Sequence, residues 1–312
     1  MAMTKAAQNK TARKNERISV AVVTRDRSAL LAKTLESIAR QTVMPDEVVV
    51  VDNASIDDTR KMVKSFESNL PILYLYCEEI GVNAARNCAL KNSTGDVLLF
   101  TDDDAEAEPE WVEEMSKSLK KHPDAAAIVG VKGNLFPYHF TACLVQFTRR
   151  SLSMLRDRDK EFVLSPTIVD TCNIAIRRAI VMGKGLSFDN TLVKGGDRHF
   201  GHQMFDNSLK VMFCETSIVL HRWPLTMAEY FKMRYSSGQM KIYLQDRAGG
   251  ENRYKSVTRH WGLIDIVGHA WGAAGVFSFP VKLAFLFFVG AGQVWNVVGY
   301  IMARIEKSRG KK

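Results

Sequence analysis

The sequence predicts an α/β protein, with a doubly wound, Rossmann-like and mostly parallel sheet flanked by helices across the first two thirds of the chain. Three observations predict it. Short β-branched runs alternate with segments of helical periodicity. The runs are continuously apolar, as strands buried on both faces are. Polar or charged clusters follow directly on three of them.

The first strand is the run at residues 18–24, Ile-Ser-Val-Ala-Val-Val-Thr. Residues 28–42 then carry Leu30, Leu31, Leu35 and Ile38 at helical spacing, with Ser28 placed to cap the first turn. A second strand, Glu47 and four valines, ends at Asp52-Asn-Ala-Ser. Residues 57–66 read as a helix, 72–76 as a third strand and 82–92 as a helix. Residues 96–101, Asp-Val-Leu-Leu-Phe-Thr, read as a fourth strand. This alternation is the rhythm of a doubly wound sheet, whose ligands sit beyond the carboxyl ends of the strands.

That rule brings three loops together: Thr24-Arg25-Asp26-Arg27, Asp52-Asn53 and Asp102-Asp103-Asp104. The first contains no glycine, which excludes the Gly-rich cradle of a dinucleotide oxidoreductase, and no P-loop is present.

Composition agrees with a folded body: 46% of the 312 residues are apolar and 25% charged. Much of the +9 charge lies at the two ends, from Lys5 to Arg17 and from Arg304 to Lys312. Basic ends suit anionic lipid headgroups at least as well as nucleic acid. No basic stripe interleaved with aromatics or zinc-finger signature is present, so no nucleic-acid partner is expected. Residues 1–16 read as a disordered basic arm. No apolar stretch precedes Ile18, so no signal peptide is expected and the catalytic body is expected in the cytosol. The cysteines at 77, 88, 143, 172 and 214 form no CxxC pair and read as small core residues rather than a zinc site or disulfide framework.

Beyond residue 225 the character changes. Residues 226–260 read as a helical interfacial linker, with Tyr230, Phe231, Met233 and Tyr235 beside Lys232 and Arg234. Residues 261–312 read as hydrophobic, membrane-associated helices with a basic tail. Within them, 283–303 is an uncharged run of 21 residues, and a helix of that length covers about 30 Å, a bilayer core. Residues 264–280 make a poorer span because of Asp265 and His269. The basic end predicts a cytosolic terminus, so a cytosolic body requires two spans or a re-entrant hairpin. The alternative is a buried hairpin packed on the catalytic domain.

Two carboxylates about 4 Å apart repel by about 1 kcal/mol in water and about 4 kcal/mol at an effective dielectric of 20. Three consecutive aspartates at 102–104 therefore suit either a solvated loop or helix cap, or a divalent cation. Oxygen ligation completed by phosphates fits Mg²⁺ or Mn²⁺.

Residues 18–27, 48–57, 81–87 (Gly-Val-Asn-Ala-Ala-Arg-Asn) and 95–111 stand in the order and spacing of the motifs of inverting family-2 glycosyltransferases of the GT-A fold. The likeness continues through Cys172-Asn173 to Arg178, Phe188-Asp189, Gly195-Gly196-Asp197 and His221. It covers residues 18–225 and rests on eight motifs in order; a catalytic domain at 17–225 follows. The resemblance implies a set of roles. Asp52 accepts a hydrogen bond from the base, Thr24 and Arg25 lie in the loop that meets base and ribose, and Arg86 stands near the diphosphate. Asp102 and Asp104 are the outer members of the DXD motif, Asp104 being the direct metal ligand, and Asp103 lies near the ribose. His221 closes the donor site and in some relatives ligates the metal. Asp197 is the candidate general base, the carboxylate that takes the acceptor proton; its alternative is a cap on a helix beginning near Arg198. The chain departs from the family at Gly196, where relatives usually carry glutamate, at His199, and at Arg25-Asp26, where Tyr-Asn is usual. His199 and His202 with Asp197 are a second, weaker metal set.

The expectation is thus metal-dependent, inverting transfer of a sugar from a nucleoside diphosphate donor, UDP-linked, to a lipid-linked or glycan acceptor. The place is the cytoplasmic face of a membrane, with the C-terminal hydrophobic segments as anchor. A sugar-1-phosphate nucleotidyltransferase and a non-catalytic nucleotide-sugar-binding scaffold are the alternatives.

Overall fold

The computed structural model describes residues 16–145, 169–247 and 278–309. Residues 1–15, the arginine-rich segment at 146–168 and residues 248–277 lie outside that range.

Eight strands form one sheet: β1 (Ile18–Thr24), β2 (Glu47–Asp52), β3 (Ile72–Tyr76), β4 (Val97–Asp102), β5 (Ala105–Ala107), β6 (Ala127–Asn134), β7 (Ile174–Arg177) and β8 (Val211–His221). Their order is β3-β2-β1-β4-β7-β6-β8-β5. Among the described residues the helices with both ends defined are α1 (Ser28–Ala39), α2 (Thr59–Lys64), α3 (Val82–Asn92), α4 (Trp111–Lys121), α5 (Arg178–Gly183), α6 (Gly196–Asp206), α7 (Met227–Arg247) and α8 (Phe279–Ser308).

The β3-β2-β1-β4 half is parallel throughout. Its strands need apolar residues at every position because helices cover both faces. Val20, Val22, Val48 and Val50 pack with Leu31, Leu35 and Ile38 of α1 on one face. Ala21, Val49, Val51 and Phe100 pack with Ala85 and Ala89 of α3 on the other. Each buried valine contributes about 1.5–3 kcal/mol relative to exposure. The second half is mixed: β7 runs antiparallel to β4 and β6, and β5 antiparallel to β8, whereas β6 and β8 are parallel.

Two local expectations change. Ser28 is the first helical residue of α1, not its cap; Arg27 occupies the cap position. The reason is Asp57, whose Oδ2 accepts the Ser28 N–H at 2.9 Å. The same carboxylate accepts the Thr59 N–H at 3.0 Å, so α2 begins at Thr59 and ends at Lys64, shorter than the 57–66 expected.

The tail is a pair of helices. Tyr230 of α7 reaches the Phe288 carbonyl, Arg234 the Gly292 carbonyl and Gln293, and Asn296 donates back to the Arg234 carbonyl. Positions rise together along both helices, so α7 and α8 run parallel. Glycines permit the close approach: a Cβ at Gly238 would fall 1.9 Å from the Asn296 carbonyl oxygen, and one at Gly299 2.0 Å from that of Tyr235. The helix expected across 283–303 is present and longer, at 279–308. It is the one helix among the described residues long and apolar enough to cross a membrane. A fully buried hairpin does not describe it. One stripe, Phe285, Val289, Gly292, Asn296, Gly299 and Ala303, is buried. Phe287, Val294, Val298, Ile301 and Ile305 are exposed. The poorer span at 264–280 lies mostly outside the described residues.

Candidate active site

The site is assembled where β1 and β4 end. Their parallel register sets Val23 opposite Asp102, so the loop after β1 meets the acidic loop after β4. The Thr24 hydroxyl donates to Asp103 Oδ2 at 2.8 Å. Arg27 Nη1 donates to Asp103 Oδ1 at 3.0 Å and to Asp104 Oδ2 at 3.3 Å. Immediately after Asp104, β5 pairs with the end of β8, Ala105 opposite His221, and the Arg222 N–H donates to the Asp104 carbonyl at 3.0 Å. That pairing delivers the imidazole. His221 Nε2 lies 3.0 Å from Asp104 Oδ1 and 3.3 Å from Asp102 Oδ2. Behind it, Lys132 Nζ sits 3.4 Å from both Asp102 and Asp170 and 5.2 Å from the Trp223 ring centre.

Electrostatics differ across the trio. Burial raises the Asp102 carboxyl, but the Lys132 charge and His221 overcome it and hold the group well below the usual carboxylate range. Asp104 is lowered too, His221 outweighing burial. Asp103 goes the other way: burial pushes it up to about 6, and Arg27 and Thr24 offset only part of that. Burial and Lys132 lower the His221 imidazole, yet Asp102 and Asp104 leave it net raised.

A cavity of about 250 Å³ opens on this cluster, lined by Arg27, Val82, Arg86, Asp102, Asp103, Asp104, Thr171 and His221 among others. Of the residues the sequence singled out, Arg86, the three aspartates and His221 therefore share one cavity. Thr24 stands behind it, engaged with Asp103. Asp52 is buried, its Oδ2 accepting the Tyr74 hydroxyl at 2.5 Å and its Oδ1 the Ser55 N–H at 2.8 Å. Arg25 does not line the cavity; it pairs with Asp26 at 3.5 Å and is exposed, and Arg27 supplies the cation instead.

Asp197 lies within the first turn of α6, which starts at Gly196, so the helix begins one residue before Asp197 rather than after it. The left-handed Gly195, at φ 78°, makes the turn into that helix. Gly196 packs on Asn83, whose Oδ1 would lie 2.0 Å from a Cβ there. Arg86 of the cavity wall donates to the same oxygen at 3.3 Å. Asp197 thus follows directly on a glycine packed against Asn83, the residue that Arg86 of the wall contacts, without itself lining the cavity. Asn83 also donates to the carbonyls of Asp189 and Leu192, and Asn87 to that of Phe188, fixing the approach to α6.

The sequence placed Arg27, Asn83 and Cys172 within its loops and motifs but assigned them no role in the site, and it did not point to Lys132. The Cys172 thiol, the Asp102 carboxylate and the His221 ring each place a ligating atom within 4.8 Å of the others. Among the described residues no such group includes Asp197, His199 and His202.

Known proteins resemble this chain. The family model described as Glycosyl transferase family 2 matches residues 19–182. Glycosyltransferase AglE of Haloferax volcanii is 28% identical over 239 residues, 74% of this chain and 75% of that protein. The glucosyl-dolichyl phosphate glucuronosyltransferase of the same organism is 28% identical over 195 residues, 59% of each. Among solved structures, the mannosyltransferase PcManGT from Pyrobaculum calidifontis, determined with GDP-Man and Mn²⁺, superposes with a TM-score of 0.65 at 21% identity, covering 96% of this chain and 89% of that one. At that identity the likeness is one of fold.

Proposed function

The chain belongs to glycosyltransferase family 2 and has the GT-A fold, and we propose that it performs metal-dependent, inverting transfer of a sugar from a nucleoside diphosphate donor to a lipid-linked or glycan acceptor. The observation that carries this reading is the convergence of Asp102, Asp104 and His221 on a cavity that also holds Arg27 and Arg86.

The donor set fits the divalent cation that the reading requires. Two carboxylates and an imidazole line one cavity, with Nε2 3.0 and 3.3 Å from the nearest carboxylate oxygens. Carboxylates suit Mg²⁺ and Mn²⁺, and the nitrogen adds weight to Mn²⁺. Asp104, Asp102 and His221 would hold the cation, which when bound stabilises negative charge on the departing diphosphate. Arg86 places a fixed, delocalised charge beside those phosphates. Thr24 and Arg27 orient Asp103 toward the ribose side, and Asp52 meets the base through lone pairs left by Tyr74 and Ser55. Asp197 accepts the proton of the acceptor hydroxyl, and the Gly195 turn with Asn83 behind it sets where that carboxylate stands.

For the donor, a uridine nucleotide is the first to test. The exposed apolar face of α8 supports a membrane-proximal acceptor at the cytoplasmic face, as does the relative whose name carries a dolichyl phosphate-linked sugar. The test is slow hydrolysis of a panel of nucleotide sugars with and without Mn²⁺. Metal-dependent hydrolysis that disappears in Asp104→Ala is expected. Pyrophosphate release from a nucleoside triphosphate and a sugar phosphate would identify a nucleotidyltransferase instead. Binding without turnover under every condition would leave a scaffold.

A further inference from the structure

Beside the cavity's Asp102 and His221 lies a donor of a different chemical kind, the Cys172 thiol. We propose that Cys172 acts with Asp102 and His221 as a chelate for a thiophilic divalent cation, zinc and cadmium being the class, at the centre assigned above to the donor's cation. The inference rests on that centre being a cation site.

The turn into β7 carries the sulfur. Antiparallel pairing of β4 and β7 sets Phe100 opposite Ile174 and Leu99 opposite Ala175. The pairing stops at Ile174, and Cys172 stands in the turn just before it, at the end of the sheet where β4 closes on Asp102. Cys172 is fully buried, and the neighbouring Thr171 lines the cavity. A ligating atom of each of Asp102, Cys172 and His221 lies within 4.8 Å of the other two. Tetrahedral zinc has bonds of about 2.3 Å to sulfur and about 2.0–2.1 Å to nitrogen or oxygen, which sets ligand atoms about 3.5 Å apart. The His221–Asp102 pair already stands at 3.3 Å, so a shift of the sulfur by at most about 1.3 Å closes the chelate.

A lone buried cysteine is usually a core residue. Here the thiol shares its position with an imidazole and a carboxylate that already meet, and sulfur, nitrogen and oxygen together select a borderline-soft cation over Mg²⁺. Binding exchanges the thiol proton, released to solvent, for the S–metal bond, with no change of oxidation state. Tetrahedral zinc held by three protein atoms keeps one further position, whereas a six-coordinate Mn²⁺ held by three keeps room for two phosphate oxygens. The zinc-loaded protein is therefore a donor-excluded state, and trace zinc is an inhibitor that competes with Mn²⁺.

The experiment titrates the full chain, freed of metal, with Co²⁺, Zn²⁺ and Mn²⁺, as wild type, Cys172→Ala, Cys172→Ser and the control Cys88→Ser. Co²⁺ in the wild type and the control should give a sulfur-to-cobalt charge-transfer band in the near ultraviolet, erased by Zn²⁺ and missing from both Cys172 variants. Zn²⁺ affinity should fall at least about tenfold in Cys172→Ala, whereas Mn²⁺ affinity should change far less. Stoichiometric Co²⁺ binding to the wild type without that band overturns the proposal, as does equal Zn²⁺ affinity in Cys172→Ala. Either result leaves the Mn²⁺ site standing. Failure of all three ions to bind the wild type overturns both readings.

Discussion

His221 Nε2 stands 3.0 Å from Asp104 Oδ1, although 116 positions of chain separate a residue of β4's loop from one at the end of β8. The β5–β8 pairing imposes that proximity, and it makes the two side chains one unit. Asp104→Ala and His221→Ala should each weaken Mn²⁺ binding by roughly 10–100-fold. The double variant should lose less than the two losses combined, because residues that share a partner do not act independently. Calorimetric titration of the three variants checks this; strict additivity would show that the two do not share a cation.

Asp197→Asn should lower turnover by about 10²–10⁴-fold, the range for a positioned proton acceptor. Donor binding with Mn²⁺ should stay within about twofold, since Asp197 does not line the cavity that holds the aspartate trio. Measuring kcat and the donor dissociation constant side by side separates the two effects. Full activity in the variant would remove Asp197 from the chemistry.

Asp103 carries a pH dependence with a defined sign. Burial raises its carboxyl to about 6, against about 3.9 in an unfolded chain. Between those values the folded protein keeps a proton that the unfolded chain has released. The stabilisation is therefore fully present below about pH 4 and is lost as pH rises through about 6. Asp103→Asn removes this titration. The metal-free variant should be more stable than wild type above pH 6 by on the order of 1–3 kcal/mol, with the difference shrinking toward about pH 4. Urea unfolding across that range is the measurement, and a pH-independent difference would contradict it.

Gly196→Ala should cost both stability and activity. Its Cβ would approach Asn83 Oδ1 to 2.0 Å, and Asn83 is held in place by the Asp189 and Leu192 carbonyls at 2.9 and 2.8 Å. Overpacking of this kind costs typically about 1–3 kcal/mol. Thermal unfolding with a parallel rate assay tests it; a variant as stable and active as wild type would mean that the α3–α6 contact is slack.

On α8, Phe287, Val294 and Ile301 are exposed. Changing them to glutamate should weaken partitioning onto anionic vesicles by on the order of tenfold for each side chain removed from lipid. Flotation of wild type and triple variant is the assay. Wild-type protein that stays soluble without detergent and ignores vesicles would end the membrane reading.

The parallel half of the sheet was legible because its strands are buried on both faces, so Val48 to Val51 and Leu98 to Phe100 carry an unbroken apolar signal. The acidic trio and His221 were legible as a motif in order. The choice between Arg25 and Arg27 was not. It depends on the left-handed turn at Asp26, φ 53°, pinned by Ser55 and Ile56 of a distant loop. Cys172 was hidden for a similar reason: the turn that leads into β7, not a local motif, brings its thiol within 4.8 Å of Asp102 and His221. Gly196 stood out as a departure from the family pattern, and the structure supplies its cause, since the Asn83 amide fills the room a side chain would need.

Lys194, three residues before Asp197, is hydrogen-bonded to Ser236 on α7, the helix against which α8 lies. With α8 seated in lipid as proposed, that tether turns the helix pair into a gauge of altitude. The depth at which the exposed apolar face of α8 settles fixes how high the proton-accepting carboxylate rides above the headgroups. An acceptor would then be chosen by the length of its stem as well as by the pattern of its hydroxyls.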